Sequence, residues 1–132
     1  MILVGGKALV SLGSSRSTDD TDYLVNRPNQ PVFINDDENN VDYLNASGSS
    51  FFMEIYEAEK GNKVASPQAL LELKAYALIQ HCQNYNWQKA DDAEFDIKFL
   101  VRKFNVKSLD RLAKIVDSSE LKEVQKIINN VK

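Results

Sequence analysis

Ile2-Leu3-Val4-Gly5-Gly6-Lys7-Ala8-Leu9-Val10-Ser11-Leu12-Gly13, followed after a polar run by Asp20-Thr21-Asp22-Tyr23-Leu24-Val25, is the stretch on which the fold turns. Its first three residues are an apolar run too short for a helix, and the two glycines end it. Ala8, Leu9, Val10 and Leu12 then suggest one or two helical turns stopped at Gly13. The order is strand, tight turn, short helix. The β-rich end of Asp20 to Val25 reads as a second strand that stops at Asn26-Arg27-Pro28-Asn29-Gln30. Strand alternation aims the carboxylates of Asp20 and Asp22 at one face and predicts that Tyr23 and Val25 point to the core.

Working outward, Pro31 to Ile34 and Val41 to Leu44 are short strand candidates separated by the polar tip Asn35 to Asn40. A longer strand is expected from Phe51 to Glu57, with Phe52, Glu54 and Tyr56 alternating on one face. After Lys60-Gly61-Asn62, Ser66-Pro67 is a helix start, because serine caps free amides and proline at the first helical position loses nothing. That helix should run from about Pro67 to Gln83 and is apolar over much of its circumference. A second is expected from about Asp91 to Lys103. A third follows a Ser108 cap, with Leu109, Leu112, Ala113 and Val116 inward. A fourth starts near Ser119, with Leu121, Val124, Ile128 and Val131 inward. Strands first and helices after predict an α+β fold with helices packed mainly on one side. The 132 residues suit one domain, residues 1–57 supplying the sheet and residues 66–132 the helical part.

Composition narrows the function classes. With 43% apolar and 27% charged residues the chain matches an ordinary folded protein and not a disordered or fibrous one. No apolar run approaches the roughly 20 residues that cross a bilayer, and the N-terminus lacks the pattern of a signal peptide, so a cytoplasmic protein without membrane attachment is expected. One cysteine, Cys82, and one histidine, His81, exclude an intramolecular disulfide and a Cys/His zinc cage. The net charge of −3, from 16 Lys plus Arg and 19 Asp plus Glu, gives no general attraction to phosphate backbones or anionic lipid. A bound nucleotide would need a local site or a metal ion.

Asp20 and Asp22 are the residues around which such a site would form. Two close aspartates with a third carboxylate from a neighbouring strand bind one or two Mg²⁺, roughly 3.5–4 Å apart when there are two, which neutralise a triphosphate and activate an attacking hydroxyl. Gly5-Gly6 supplies the matching element, since backbone without Cβ lets phosphate approach. Asp42 and Glu54 compete as the third carboxylate, each on an alternating strand face, and Asp42 also reads as a plain edge-strand charge. Each residue also has a plain structural reading. The aspartate pair is compatible with a solvated turn, Arg16 with pairing to Asp19 or Asp20, and Lys74 with a side chain snorkelling from an apolar helix. His81 and Cys82 point about 100° apart on a helix and cannot act as a catalytic pair. The tip Asp36-Asp37-Glu38 lacks the glycine and distal glutamate of an EF-hand and is read as a solvated turn. Gly6-Lys7 lacks the upstream glycine and downstream hydroxyl of a phosphate-binding Walker loop.

Taken together, Val4-Gly5-Gly6-Lys7-Ala8-Leu9, Arg16-Ser17-Thr18 and Asp20-Thr21-Asp22 resemble the signature of the nucleotidyltransferase superfamily. The nearest branch is the small prokaryotic proteins related to AbiEii-type toxins, with the pattern GGxAL, RxTxD and DxD. The resemblance continues through Val41-Asp42-Tyr43-Leu44 and Ser66 to Lys74, and ends in Lys89, Asp92 and Asp96-Ile97, covering about residues 2–100. It implies Asp20, Asp22 and Asp42 as catalytic metal ligands for Mg²⁺ or Mn²⁺, and Gly5, Gly6, Arg16, Thr18 and Lys74 as nucleotide-binding groups. The implied activity is transfer of a nucleoside monophosphate from a nucleoside triphosphate to a hydroxyl, in a toxin–antitoxin or phage-defence setting. A protein or small-molecule acceptor suits the acidic chain better than tRNA. The alternative is a catalytically inactive relative serving as an antitoxin-like or regulatory interaction module. Thr21 stands where the family prefers an apolar residue, and no helix precedes the first strand. The sheet side such a helix covers is expected to be filled by a second copy, making a homodimer.

Overall fold

Ile2–Val4 forms strand β1, and the chain passes directly into helix α1, Gly5–Ser11. Strands β2, Thr21–Val25, β3, Phe33–Asp36, and β4, Val41–Asn45, complete a sheet of order β1-β2-β4-β3. β2 and β4 are parallel, while β1 with β2 and β3 with β4 are antiparallel. The sheet is therefore mixed and the fold α+β. The structure, a computed structural model, describes residues 1–132, and the chain divides into two compact units, residues 1–66 and 67–132.

In the first unit, register decides what each sheet face carries. Ile2, Leu24, Leu44 and Phe33 align across the four strands, and one step along the same face Val4, Asp22, Asp42 and Asn35 align in a second row. This face is the covered one: Ile2, Val4 and Leu24 are buried, and the ring of Phe33 meets Phe52 of the following helix edge-on at 6.1 Å. The aspartate face and the core face are thus the same face, which corrects the expectation that Tyr23 points inward opposite the carboxylates. Alternation fixes which residues share a side but not which side receives the helices. Tyr23 lies on the other face, half-buried, stacked with Tyr43 at 6.3 Å, and the Arg27 guanidinium sits 4.3 Å from the Tyr43 ring centre. Val25 is buried at the strand's end.

The segment expected as a strand from Phe51 to Glu57 is instead helix α2, Ser50–Glu59. Its buried residues Phe51, Phe52, Ile55 and Glu59 follow helical spacing, and the Ser49 hydroxyl caps it by accepting from the Phe52 N–H at 3.2 Å. Aromatic residues favour strands in isolation, but a serine cap and an apolar face to bury outweigh that preference. The Glu59 carboxylate accepts from the Ser66 N–H and, at 3.1 Å, from its hydroxyl, tying the end of α2 to the end of the unit. Fully buried Asn45 fixes the turn after β2: its Oδ1 accepts from Arg27 N–H at 2.8 Å, and its Nδ2 faces the carbonyls of Arg27, Gln30 and Pro31 at 2.8 to 3.1 Å.

The second unit is built from α3, Pro67–Gln83, α4, Trp87–Phe104, and α5, Ser118–Asn129. α3 has the boundaries read from the sequence. α4 begins four residues earlier than expected, because the Asn86 side chain caps it by accepting from the Lys89 N–H at 3.3 Å. It ends at Asn105, whose φ of 56° is a left-handed helix stop. The helix expected after Ser108 is only a 3₁₀ turn at Leu112–Lys114. Leu109 and Leu112 are buried there, Ala113 is exposed, and the segment is held by Glu72 of α3. That carboxylate accepts from Arg111 Nε at 2.6 Å and from the Leu112 N–H at 2.9 Å.

Candidate functional site

Val4 leaves β1 in extended conformation, and Gly5 takes φ +71° to start α1. A residue with a Cβ is strained in that region, so glycine is the residue this turn requires. The space a side chain would fill is occupied: a Cβ on Gly5 would lie 2.1 Å from Asp22 Oδ2. A Cβ on Gly6 would lie 2.7 Å from Arg16 Nη2 and 3.0 Å from Thr18 Oγ1. The diglycine bend therefore admits three side chains, the carboxylate of Asp22, the guanidinium of Arg16 and the hydroxyl of Thr18, at the junction of β1 and α1.

The loop that brings Arg16 and Thr18 back over Gly6 is anchored close to α1. Ser14 is buried, its N–H donates to the Leu9 carbonyl at 3.0 Å, and its hydroxyl accepts from the Arg16 N–H at 3.2 Å. Beyond Thr18 the chain is tied to the turn before β4. The Asn40 side chain donates to the Asp19 carbonyl at 3.1 Å, and the Thr21 N–H donates to the Asn40 carbonyl at 3.1 Å.

Asp22 and Asp42 are register partners on adjacent parallel strands. Neighbouring strands lie about 4.8 Å apart, so the two carboxylates emerge from one face side by side. Asp42 Oδ1 accepts from Asn35 Nδ2 at 2.6 Å. Asn35, the next residue in that row, is hidden in the sequence because β3 is expected at Pro31 to Ile34 and lies two residues further on. Correct alternation from Phe33 would place Asn35 opposite Asp42. Asp20 precedes β2 and is exposed. No group of three or more His, Cys, Asp or Glu residues is placed to hold a metal ion by protein ligands alone. Mg²⁺ characteristically takes one or two carboxylates and completes its shell with waters and phosphate oxygens, and the Asp22–Asp42 pair fits that requirement.

Glu54 lies on α2, so the alternating strand face that made it a rival third carboxylate does not exist. Lys74 belongs to the second unit and pairs with Asp96 at 2.9 Å, the carboxylate fully buried and the ammonium largely so. Burial, with the charges of Lys89 and Lys74, lowers the pKa of His81 against an opposing effect of Asp92. Burial and the charges of Glu94 and Asp91 raise that of Cys82. A thiol pushed up beside a histidine pushed down is the reverse of a thiolate–imidazolium pair.

No protein-family model, no curated protein and no solved structure matches this chain.

Proposed function

We propose that this chain is a metal-dependent nucleotidyltransferase that moves a nucleoside monophosphate from a nucleoside triphosphate to a hydroxyl acceptor. The observation that carries the reading is the pairing of Asp22 with Asp42 on parallel strands, beside a glycine turn that also gathers Arg16 and Thr18. Two adjacent carboxylates can share a divalent cation, whose charge offsets their mutual repulsion. Mg²⁺ or Mn²⁺ on Asp22 and Asp42 would neutralise the triphosphate and favour displacement of pyrophosphate. Arg16 would pair with phosphate oxygens through its planar fork, and Thr18 would donate to one of them. Asn35 donates to one oxygen of the Asp42 carboxylate and so helps to orient it. The acceptor would be a protein or small molecule ahead of a tRNA end, and a toxin–antitoxin or phage-defence setting follows from the family resemblance. A homodimer is part of the same reading. No helix is long and apolar enough to cross a membrane.

Titrating the native protein, Asp20→Asn, Asp22→Asn and Asp42→Asn with each nucleoside triphosphate in Mg²⁺ or Mn²⁺ tests the proposal. Binding by the native chain that weakens at least tenfold in Asp22→Asn and Asp42→Asn supports it. Absence of binding, or equal binding in all four proteins, overturns it. Labelled nucleotides in cell extract then identify the acceptor. A second reading, a non-catalytic module with an antitoxin-like or regulatory role, is favoured by the position of Asp20, which leaves two of the three aspartates as register partners. Nucleotide binding without transfer to any acceptor would select it.

A further inference from the structure

Within the second unit, the C-terminal half of α3 and one side of α5 face each other across a cavity of about 570 Å³, with Glu94 of α4 at its edge. It falls in the size range of ordinary ligand pockets, and spaces between bundled helices are a usual place for them. The floor is hydrocarbon: Leu78 and Ile79 from α3, Val124 and Ile127 from α5. Cys82 adds a thiol to the same lining.

The rim has a definite sign. Three carboxylates, Glu94, Glu120 and Glu123, line it against one ammonium, Lys126. Glu94 pairs with Lys98 at 3.1 Å and Glu123 with Lys126 at 3.2 Å. Glu120 differs, because the group meeting it is a neutral amide, Gln83 Nε2 at 2.6 Å. One edge of an apolar cavity thus carries a carboxylate with no cation against it. Charge complementarity selects a positive group for that edge and hydrocarbon for the floor.

We propose that the cavity between α3 and α5 binds an apolar organic cation, its hydrocarbon or aromatic body on Leu78, Ile79, Val124 and Ile127 and its ammonium against Glu120. The site lies in residues 67–132 and does not depend on the nucleotidyltransferase reading.

Calorimetric titration of the full chain with octyltrimethylammonium and with octyl sulfate, both below their micelle concentrations, tests this. The two probes share a hydrocarbon tail and differ in head-group charge. The expected result is binding of the cation at least tenfold tighter than the anion, with the preference lost in Glu120→Gln and both ligands lost in Ile127→Trp, which fills the cavity. Equal binding of the two probes, or no binding of the cation at millimolar concentration, overturns the proposal. Amide chemical-shift changes in the native protein give a second measurement independent of any variant's folding. Shifts confined to residues 78–83 and 120–130 support the site, and shifts centred elsewhere overturn it. Sedimentation in which the native chain dimerises and Ile127→Trp does not would assign the cavity to a second copy, which also overturns it.

Discussion

Two pairs of acidic side chains, one in each half of this chain, are held in different ways. In residues 67–132, Glu72 and Asp96 are buried and each meets a cation brought from a distant part of the unit, Arg111 at 2.6 Å and Lys74 at 2.9 Å. Those carboxylates hold helices and a 3₁₀ turn in place. In residues 1–66, Asp22 and Asp42 are half-buried and set beside each other on parallel strands, against a glycine made bare to receive one of them. Like charges in adjacent register weaken a sheet. The contrast separates acids that join helical segments from acids set side by side on a sheet, and the binding site is proposed at the second kind.

The sharpest way to break this contrast is to remove an acid of the first kind. Glu72→Ala strands the Arg111 guanidinium and the buried Leu112 N–H, and it should destabilise by about 3–5 kcal/mol. Urea denaturation followed by circular dichroism measures it, and a loss below about 1 kcal/mol would deny Glu72 its structural role. Gly5→Ala comes next, because the new methyl group would collide with Asp22 and occupy a left-handed backbone position. A cost of about 2–4 kcal/mol is expected from strain and overpacking. Gly61, at φ +97° with nothing within 4 Å of where a Cβ would stand, is the control. Gly61→Ala should cost only about 1 kcal/mol, and the difference between the two variants reports the Asp22 contact. The smallest effect belongs to Asp42→Asn, whose Oδ1 still accepts from Asn35. Its stability should stay within about 1 kcal/mol of the native chain, while metal-dependent nucleotide binding falls at least tenfold. A large loss of stability would place Asp42 with Glu72 and Asp96 instead.

Much of this organisation was legible one residue at a time. Pro67 and Gln83 bound α3 where the cap and the apolar pattern put them, and Val41 to Leu44 is a strand as its β-rich composition suggested. The errors came where two local signals competed. Phe51 to Glu57 is rich in aromatic residues, yet Ser49 and the spacing of Phe51, Phe52, Ile55 and Glu59 made it a helix. Leu109 to Val116 carries a helical repeat, but Glu72 captures the Leu112 N–H and the segment makes one 3₁₀ turn. For the candidate site, Gly5, Gly6, Arg16, Thr18 and Asp22 lie together at the β1–α1 junction, whereas Asn35 was hidden by a strand boundary two residues out.

By itself the sequence determined the order of strands before helices, the glycine turn and the placing of Asp22 and Asp42 on strands, because these follow from backbone freedom and local β-rich composition within a few residues. Tertiary structure alone decided that the aspartate face is the helix-covered face, that Asp22 lies in register with Asp42, and that Lys74 belongs to Asp96. Each of those depends on which segments meet across long stretches of chain, and strand register, burial and ion pairing are settled only when the competing partners are all in place.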